Sequence, residues 1–263
     1  MKALYLPHLD KSVLIGGRLL PDPKAPRLLF KDYTANLPAP PAIVDYTPKA
    51  TDGLRNIFLN DKYGCCVIAS GYHGVATETG NAGNEFVASD AQIVADYSAI
   101  GGFDPSNPDG TDNGCDEVTA LNYWQSNGFA DGTKIVTWFQ LDSSNPNEIM
   151  QALYLLEKVI VCASLPDSWL NPTPVDGTTW DADEPDESNG HSFMAAKGAL
   201  EGGLVVDTWA LFINLTWAAV AKDCQVWGYA TQDMLDKATQ KAPNSLDWNT
   251  LLTDAQSLQA AQS

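Results

Sequence analysis

Residues 59–80 read LNDKYGCCVIASGYHGVATETG, and the rest of the chain is organised around them. A polar turn, Asn60 to Gly64, leads into two adjacent cysteines, Cys65 and Cys66. Beyond them Val67, Ile68, Tyr72, Val75 and Ala76 recur at spacings that leave one helix face apolar. The pattern predicts a helix over 66–79, with Gly80 as its stop. Both cysteines then sit at the orphan amides and positive dipole end of that helix. A thiol so placed is expected to have its pKa lowered, which makes a nucleophile at neutral pH.

The 263 residues suffice for one sizeable core, and 44% hydrophobic with 10% aromatic residues marks a globular chain. Fifteen basic against 33 acidic residues give a formal charge of −18. That balance argues against nucleic acid or an anionic membrane as the main partner, since either needs a basic face. It suits a soluble protein or a cationic partner. No apolar run approaches the ~18 residues of a membrane span. The start, MKALYLPHLDKSVLIGG, is broken by Pro7, His8 and Asp10 and is not read as a signal peptide. The five cysteines are an odd number with no CxxC pair, so a reducing compartment such as the cytoplasm is expected. With only three histidines, neither a metal site nor a cofactor is expected.

Residues 1–40 form a proline-rich, extended arm with a short strand near 12–15. It docks either on its own domain or on a protein partner. The main domain is read over 41–231 and a helical tail over 232–263. After the first helix, Ser89 caps a second over 89–100. A turn-rich loop follows at 101–114, then a helix over 115–128 ended by Asn127-Gly128. A strand is expected at 134–141, a helix at 146–158 with Pro146 in its first turn, and a buried strand at 159–165. Residues 166–189 read as one long loop, and loops of that length are usually functional. Strands at 191–200 and 204–211 form a hairpin through Glu201-Gly202-Gly203. A short helix at 216–224, a strand at 225–231 and two helical patches complete the chain. Helices first and antiparallel strands second indicate an α+β fold with segregated layers. A cleft between the halves is the natural site.

A cysteine nucleophile needs a base, and the base needs an orienting group. His8 lies in the arm. His73 stands two helical turns beyond Cys66, about 10 Å along the axis. His191 remains, opening a strand directly after the long loop. Asp207, on the next strand, is the candidate that orients it, with Trp209 shielding the pair from water. Asn60 stands six residues before Cys66 and is the candidate side-chain donor to an oxyanion.

Together these pieces resemble papain-like cysteine peptidases, in particular their divergent bacterial and phage branch. Val44-Asp45-Tyr46 matches the family's mature start. Asn60 stands where the family has a glutamine, and Cys66 where it has the nucleophile that opens the central helix. Gly190-His191-Ser192-Phe193 matches the histidine strand, and Asp207-Thr208-Trp209 falls at the family's spacing from histidine to asparagine. Leu121 to Trp124, LNYW, matches its middle helix. The resemblance covers about residues 40–230. It implies a papain-like fold, with a central N-terminal helix packed on an antiparallel sheet or barrel half. There are departures: Asn60 for glutamine, Asp207 for asparagine, Val67 for an aromatic, and a second thiol at Cys65. Tyr63 stands at a family cysteine position, so the resemblance leaves Cys115 without its usual disulfide partner.

The expectation is a thiol hydrolase cutting peptide or isopeptide bonds in a peptide or protein substrate, with Cys66, His191, Asp207 and Asn60 as its site. The acidic run Asp181 to Glu187 could flank the cleft and favour basic substrates. One alternative is a non-catalytic assembly protein, for example of a phage virion, on the same fold. Another is a hydrolase or transpeptidase of cell-wall peptides.

Overall fold

The structure, a computed structural model, describes residues 1–34, 37, 39–241 and 248–262. Parts of the proline-rich arm and the start of the last helical patch, 245–247, therefore lie outside the described residues.

The helix at the centre runs Cys66–Asn81, one residue beyond the expected stop. Its apolar residues fill more than one face, and Ser70, His73 and Thr77 are buried with them. A helix buried all round belongs in the middle of a core. Helices Asp90–Gly101 and Glu117–Asn127 pack on it through Ile93, Tyr97, Leu121 and Trp124. Ser89 and Gln92 close a reciprocal capping box on the first of these. Asp116 accepts from Thr119 N on the second, which starts two residues later than its sequence pattern suggests.

The sheet half runs in the order Thr137–Leu141, Cys224–Ala230, Val159–Ser164, Gly190–Ala199, Gly203–Thr208, Leu211–Leu215, Thr179–Trp180. Ile43–Asp45 pairs with the far end of Gly190–Ala199. All pairs are antiparallel except the last, Thr179–Trp180 on Leu211–Leu215. Strand alternation divides Gly190–Ala199 between two cores. Phe193 and Ala195 face a cluster with Val161, Val206 and helix Pro146–Leu156. Met194 and Ala196 face Ala50 and Leu54 on the other side. The α+β reading thus holds, although helix Pro146–Leu156 packs on the sheet face away from the central helix. Strand Leu211–Leu215 was not legible as a separate element, because Trp209-Ala210 carries no turn signal. The 166–189 segment holds a helical turn, Asp167–Leu170, besides its short strand.

The first residues form a hairpin, Lys2–Leu6 with Lys11–Ile15, whose Leu6, Val13 and Ile15 are buried in the main cluster. The arm thus lies on its own chain, one of the two dockings that the sequence leaves open. The C-terminal helices Gln232–Lys241 and Trp248–Gln262 bury Met234, Leu235 and Leu251 against the same cluster. Among the described residues no helix is long and apolar enough to cross a membrane.

Gly74 marks the tightest point of the central packing. A Cβ there would run into the Tyr229 hydroxyl, which is itself buried without a partner. Gly74→Ala should therefore destabilise by about 1–3 kcal/mol in urea unfolding, despite alanine's helix preference of roughly 1 kcal/mol. Adding Tyr229→Phe should recover most of the loss.

Candidate active site

The polar turn before the central helix is built on backbone bends. Phe58 and Leu59 take φ of 44° and 63°, and Asn60 N donates to Ile57 O at 2.9 Å. The start of the helix separates the two cysteines. Cys65 is the residue before the first turn, and its Sγ donates to Phe58 O at 3.3 Å. Cys66 opens the helix and lines a small cavity of about 10 Å³. Asn60, Ser70, His73, His191, Asp207, Thr208 and Trp209 line the same cavity. Three of the expected site residues, Cys66, His191 and Asn60, are therefore brought together from distant parts of the chain.

Asp207 shares the cavity but does not hold His191. The His191 ring is paired through Nε2 with Thr208 Oγ1 at 2.7 Å, and its Nδ1 has no partner. Both oxygens of Asp207 lack hydrogen-bond partners, and the His73 ring stands beside them, with Nε2 at 3.6 Å. The expectation that Asp207 orients the imidazole is corrected on this geometry, and a one-residue bulge is the reason. Between Gly198 and Lys197 the hairpin pairs with Leu204 and Val205, then shifts register between Ala195 and Lys197. Asp207 consequently pairs with Met194. Without the bulge it would pair with Ala195 and share the face of His191. One residue of slip moves a side chain to the opposite face, so Thr208 takes the place beside the ring.

Trp209 behaves as expected of a shield. It stacks on His191 with centroids 4.6 Å apart, and its Nε1 donates to Asn60 Oδ1 at 3.2 Å. The turn that aims it is costly. Trp209 and Ala210 sit at φ 52° and 59°, a left-handed pair with no glycine. His8 Nε2 donates to Trp209 O at 3.2 Å and Arg55 Nη1 to Ala210 O at 2.6 Å, which fastens the turn. His8 and Arg55 were not legible as site residues, because nothing local links them to residue 209. The Asn60 amide Nδ2 donates to Tyr63 O at 3.2 Å.

The cleft between the halves is filled by the chain itself. Residues 14–19, following the hairpin, run along it. Leu14 N donates to Asn60 O at 2.9 Å, and Gly16 N and Arg18 N both donate to Gly190 O, at 3.0 and 3.2 Å. Cys115 N donates to Gly17 O at 3.1 Å, and Leu19 N to Cys115 O at 2.9 Å. The approach is backbone to backbone: a Cβ on Gly17 would meet Gly64, and one on Gly190 would meet Arg18 O. This strap buries Arg18, whose Nε donates to Glu117 Oε2 at 3.0 Å and whose Nη2 donates to Gln225 Oε1 at 2.6 Å.

Closure sets the charge states. Burial pushes the Cys66 thiol up to about 12, although the Ser192 and Val67 amides and Arg18 oppose it. The lowered value expected from the helix end is not present in this closed state, since desolvation outweighs the dipole. Burial lowers His191 to about 3, with His73 adding to the effect, and lowers His73 to about 4 against a bond to Asn56 O. Burial also raises Asp207 well above its usual value. The cavity thus holds a neutral thiol and two neutral imidazoles beside Asp207, whose charged form burial disfavours. Among the described residues no group of three His, Cys, Asp or Glu is placed to hold a metal ion. All five cysteines are free and buried.

No protein-family model matches the sequence, and no curated protein matches it. Solved structures do match. Xylellain, a cysteine protease from Xylella fastidiosa, aligns with a TM-score of 0.59 at 12% identity, over 82% of this chain and 96% of that one. The digestive procathepsin L 3 of Tenebrio molitor larval midgut gives 0.57 at 14%, over 79% and 74%. The Carica candamarcensis cysteine protease CMS1MS2, solved in complex with E-64, gives 0.51 at 13%, over 72% and 98%. The fold of this chain is that of the papain-like cysteine proteases.

A pH titration of stability follows from the buried imidazoles. Each binds a proton in the unfolded chain near pH 6.5 but resists it when folded. Their contribution is complete above that value and is lost as pH falls toward about 4 for His73. Asp207 has the opposite sign, its contribution falling as pH rises past the unfolded 3.8. His73→Gln should flatten the acid limb between pH 6.5 and 4 by up to about 1.4 kcal/mol per pH unit. Urea unfolding across that range measures it.

Proposed function

We propose that this protein is a thiol hydrolase of peptide or isopeptide bonds, held in a closed form by its own N-terminal strap. The observation that carries the reading is the shared cavity at the seam. It joins a thiol on the first turn of a buried helix to an imidazole whose Nδ1 is unpaired and whose Nε2 is held by a hydroxyl. The fold supports it, because the proteases it resembles carry that name.

With Nε2–H donating to Thr208 Oγ1, His191 Nδ1 carries the lone pair that takes the Cys66 proton. The sulfur then bonds to the substrate carbonyl carbon, and the carbonyl π pair moves to oxygen. That oxyanion is met by the Cys66 amide and the Asn60 side chain. The imidazolium returns its proton to the leaving amine as the C–N bond breaks. Water, deprotonated by the same nitrogen, releases the acyl group. Thr208 is a positioning residue in this scheme, a role that the sequence alone assigns to Asp207. A role in virion assembly draws no support from the fold comparisons.

The strap must leave for substrate to enter. Arg18→Glu, which sets two carboxylates against each other in a buried place, should expel it and speed alkylation of Cys66 by iodoacetamide about tenfold or more. Cleavage of a casein or cell-wall peptide substrate should appear in that variant and vanish on adding Cys66→Ala, while Cys65→Ala leaves it intact. A strap-released chain that labels its cysteines evenly and cuts nothing sinks the reading. In the released enzyme, Thr208→Val should lower kcat about tenfold to a hundredfold with little change in KM, and Asp207→Asn should do far less.

A further inference from the structure

The strap side chain that reaches both halves is Arg18, and its surroundings form a receptor for a guanidinium. Glu117 comes from the helical half, at the first position of helix Glu117–Asn127. Gln225 comes from the sheet half, in strand Cys224–Ala230. Nε donates to one and Nη2 to the other, at 3.0 and 2.6 Å. Both Arg18 and Glu117 are almost fully buried, with 5% and 1% exposure. The thiols of Cys66 and Cys162 lie close enough for Arg18 to act on their charge.

We infer that this pocket is the specificity site of the proposed hydrolase, and that the segment it accepts from a substrate carries arginine. The inference rests on the hydrolase reading for its meaning, but its chemistry is independent of it. Three observations carry it. First, the strap lies in the seam by backbone bonds to Gly190 and Cys115, which a peptide with glycines at the places of Gly16 and Gly17 could make instead. What distinguishes one such peptide from another there is the side chain sent into the pocket. Second, an occupant without a cation would leave Glu117 buried and unpaired, which is strongly unfavourable. Third, Glu117 Oε1 has no partner while Oε2 holds Arg18. The strap therefore uses half of the carboxylate, and an incoming arginine that engaged both oxygens would bind better than the tethered one.

Arginine is selected over lysine by geometry. The acceptors come from two different elements and are met by two different nitrogens of one planar fork. A single ammonium on a flexible stem presents no such fork. The net charge of −18 adds a long-range attraction for a basic peptide. Arg18 in this view is a built-in stand-in for the substrate side chain.

The test uses the full chain carrying Arg18→Ala and reads its melting temperature. Methylguanidinium should raise Tm saturably, butylammonium at equal concentration should not, and Glu117→Gln added to the same chain should abolish the effect. Equal shifts with both cations, or none with either, overturn the proposal. If Arg18→Ala does not fold, the wild-type chain is cut at a protease site placed in the exposed turn at 22–24, with both pieces kept. Free peptides copying residues 12–20 then compete for the seam. The copy with arginine at its seventh position should displace the strap about tenfold or more better than copies with leucine or lysine, and equal displacement refutes the pocket. The two readings fail separately. Guanidinium binding without any Cys66 reactivity or turnover removes the hydrolase and leaves the pocket. Turnover that treats arginine and leucine peptides alike removes the pocket and leaves the hydrolase.

Discussion

One guanidinium ties the two halves of this protein together. Arg18 reaches the helical half through Glu117 and the sheet half through Gln225, in a place that water barely touches. Removing one side of such a pair leaves a buried charge alone, at a cost of about 3–5 kcal/mol. Around it the strap makes backbone bonds to Asn60, to Gly190 beside His191, and to Cys115. The seam is therefore closed by the same contacts that cover the chemistry.

Closure explains the raised pKa of the Cys66 thiol. A helix end favours a thiolate, but that effect is worth about a kilocalorie per mole, whereas full desolvation shifts a buried group by several pH units. In the closed state the second wins, and the thiol of Cys66 stays protonated. Burial likewise keeps the two imidazoles neutral and pushes Asp207 upward. In the proposed hydrolase, opening the seam would readmit water and reverse that balance at Cys66.

The strained turn at Trp209-Ala210 belongs to this design. Two non-glycine residues at positive φ are held by His8, Arg55 and the contact of Trp209 with Asn60. The indole then covers the imidazole and fixes the oxyanion candidate in one move. Strain at such a place is stable only where surrounding contacts over-determine it. One of those contacts, His8, comes from the N-terminal hairpin, so that hairpin also steadies the turn that carries the indole.

The sequence by itself determined what local pattern controls. Apolar spacing placed the central helix, and the turn at 60–64 put Cys66 at its start. The hydrophobic runs placed the strand that His191 opens, and helices followed by strands set the α+β order. The tertiary structure alone decided the rest. Whether Asp207 or Thr208 meets His191 depends on a bulge between Ala195 and Lys197, and a hairpin's register slip leaves no mark on the residues it displaces. Asp207 found His73 instead because both point from opposing elements into one cavity. The pairing of Arg18 with Glu117 joins residues 99 apart, and neither type of residue announces a buried partner. The charge state of Cys66 followed from how deeply the strap buries it. Burial and long-range pairing are properties of the packed whole, which no window of sequence contains.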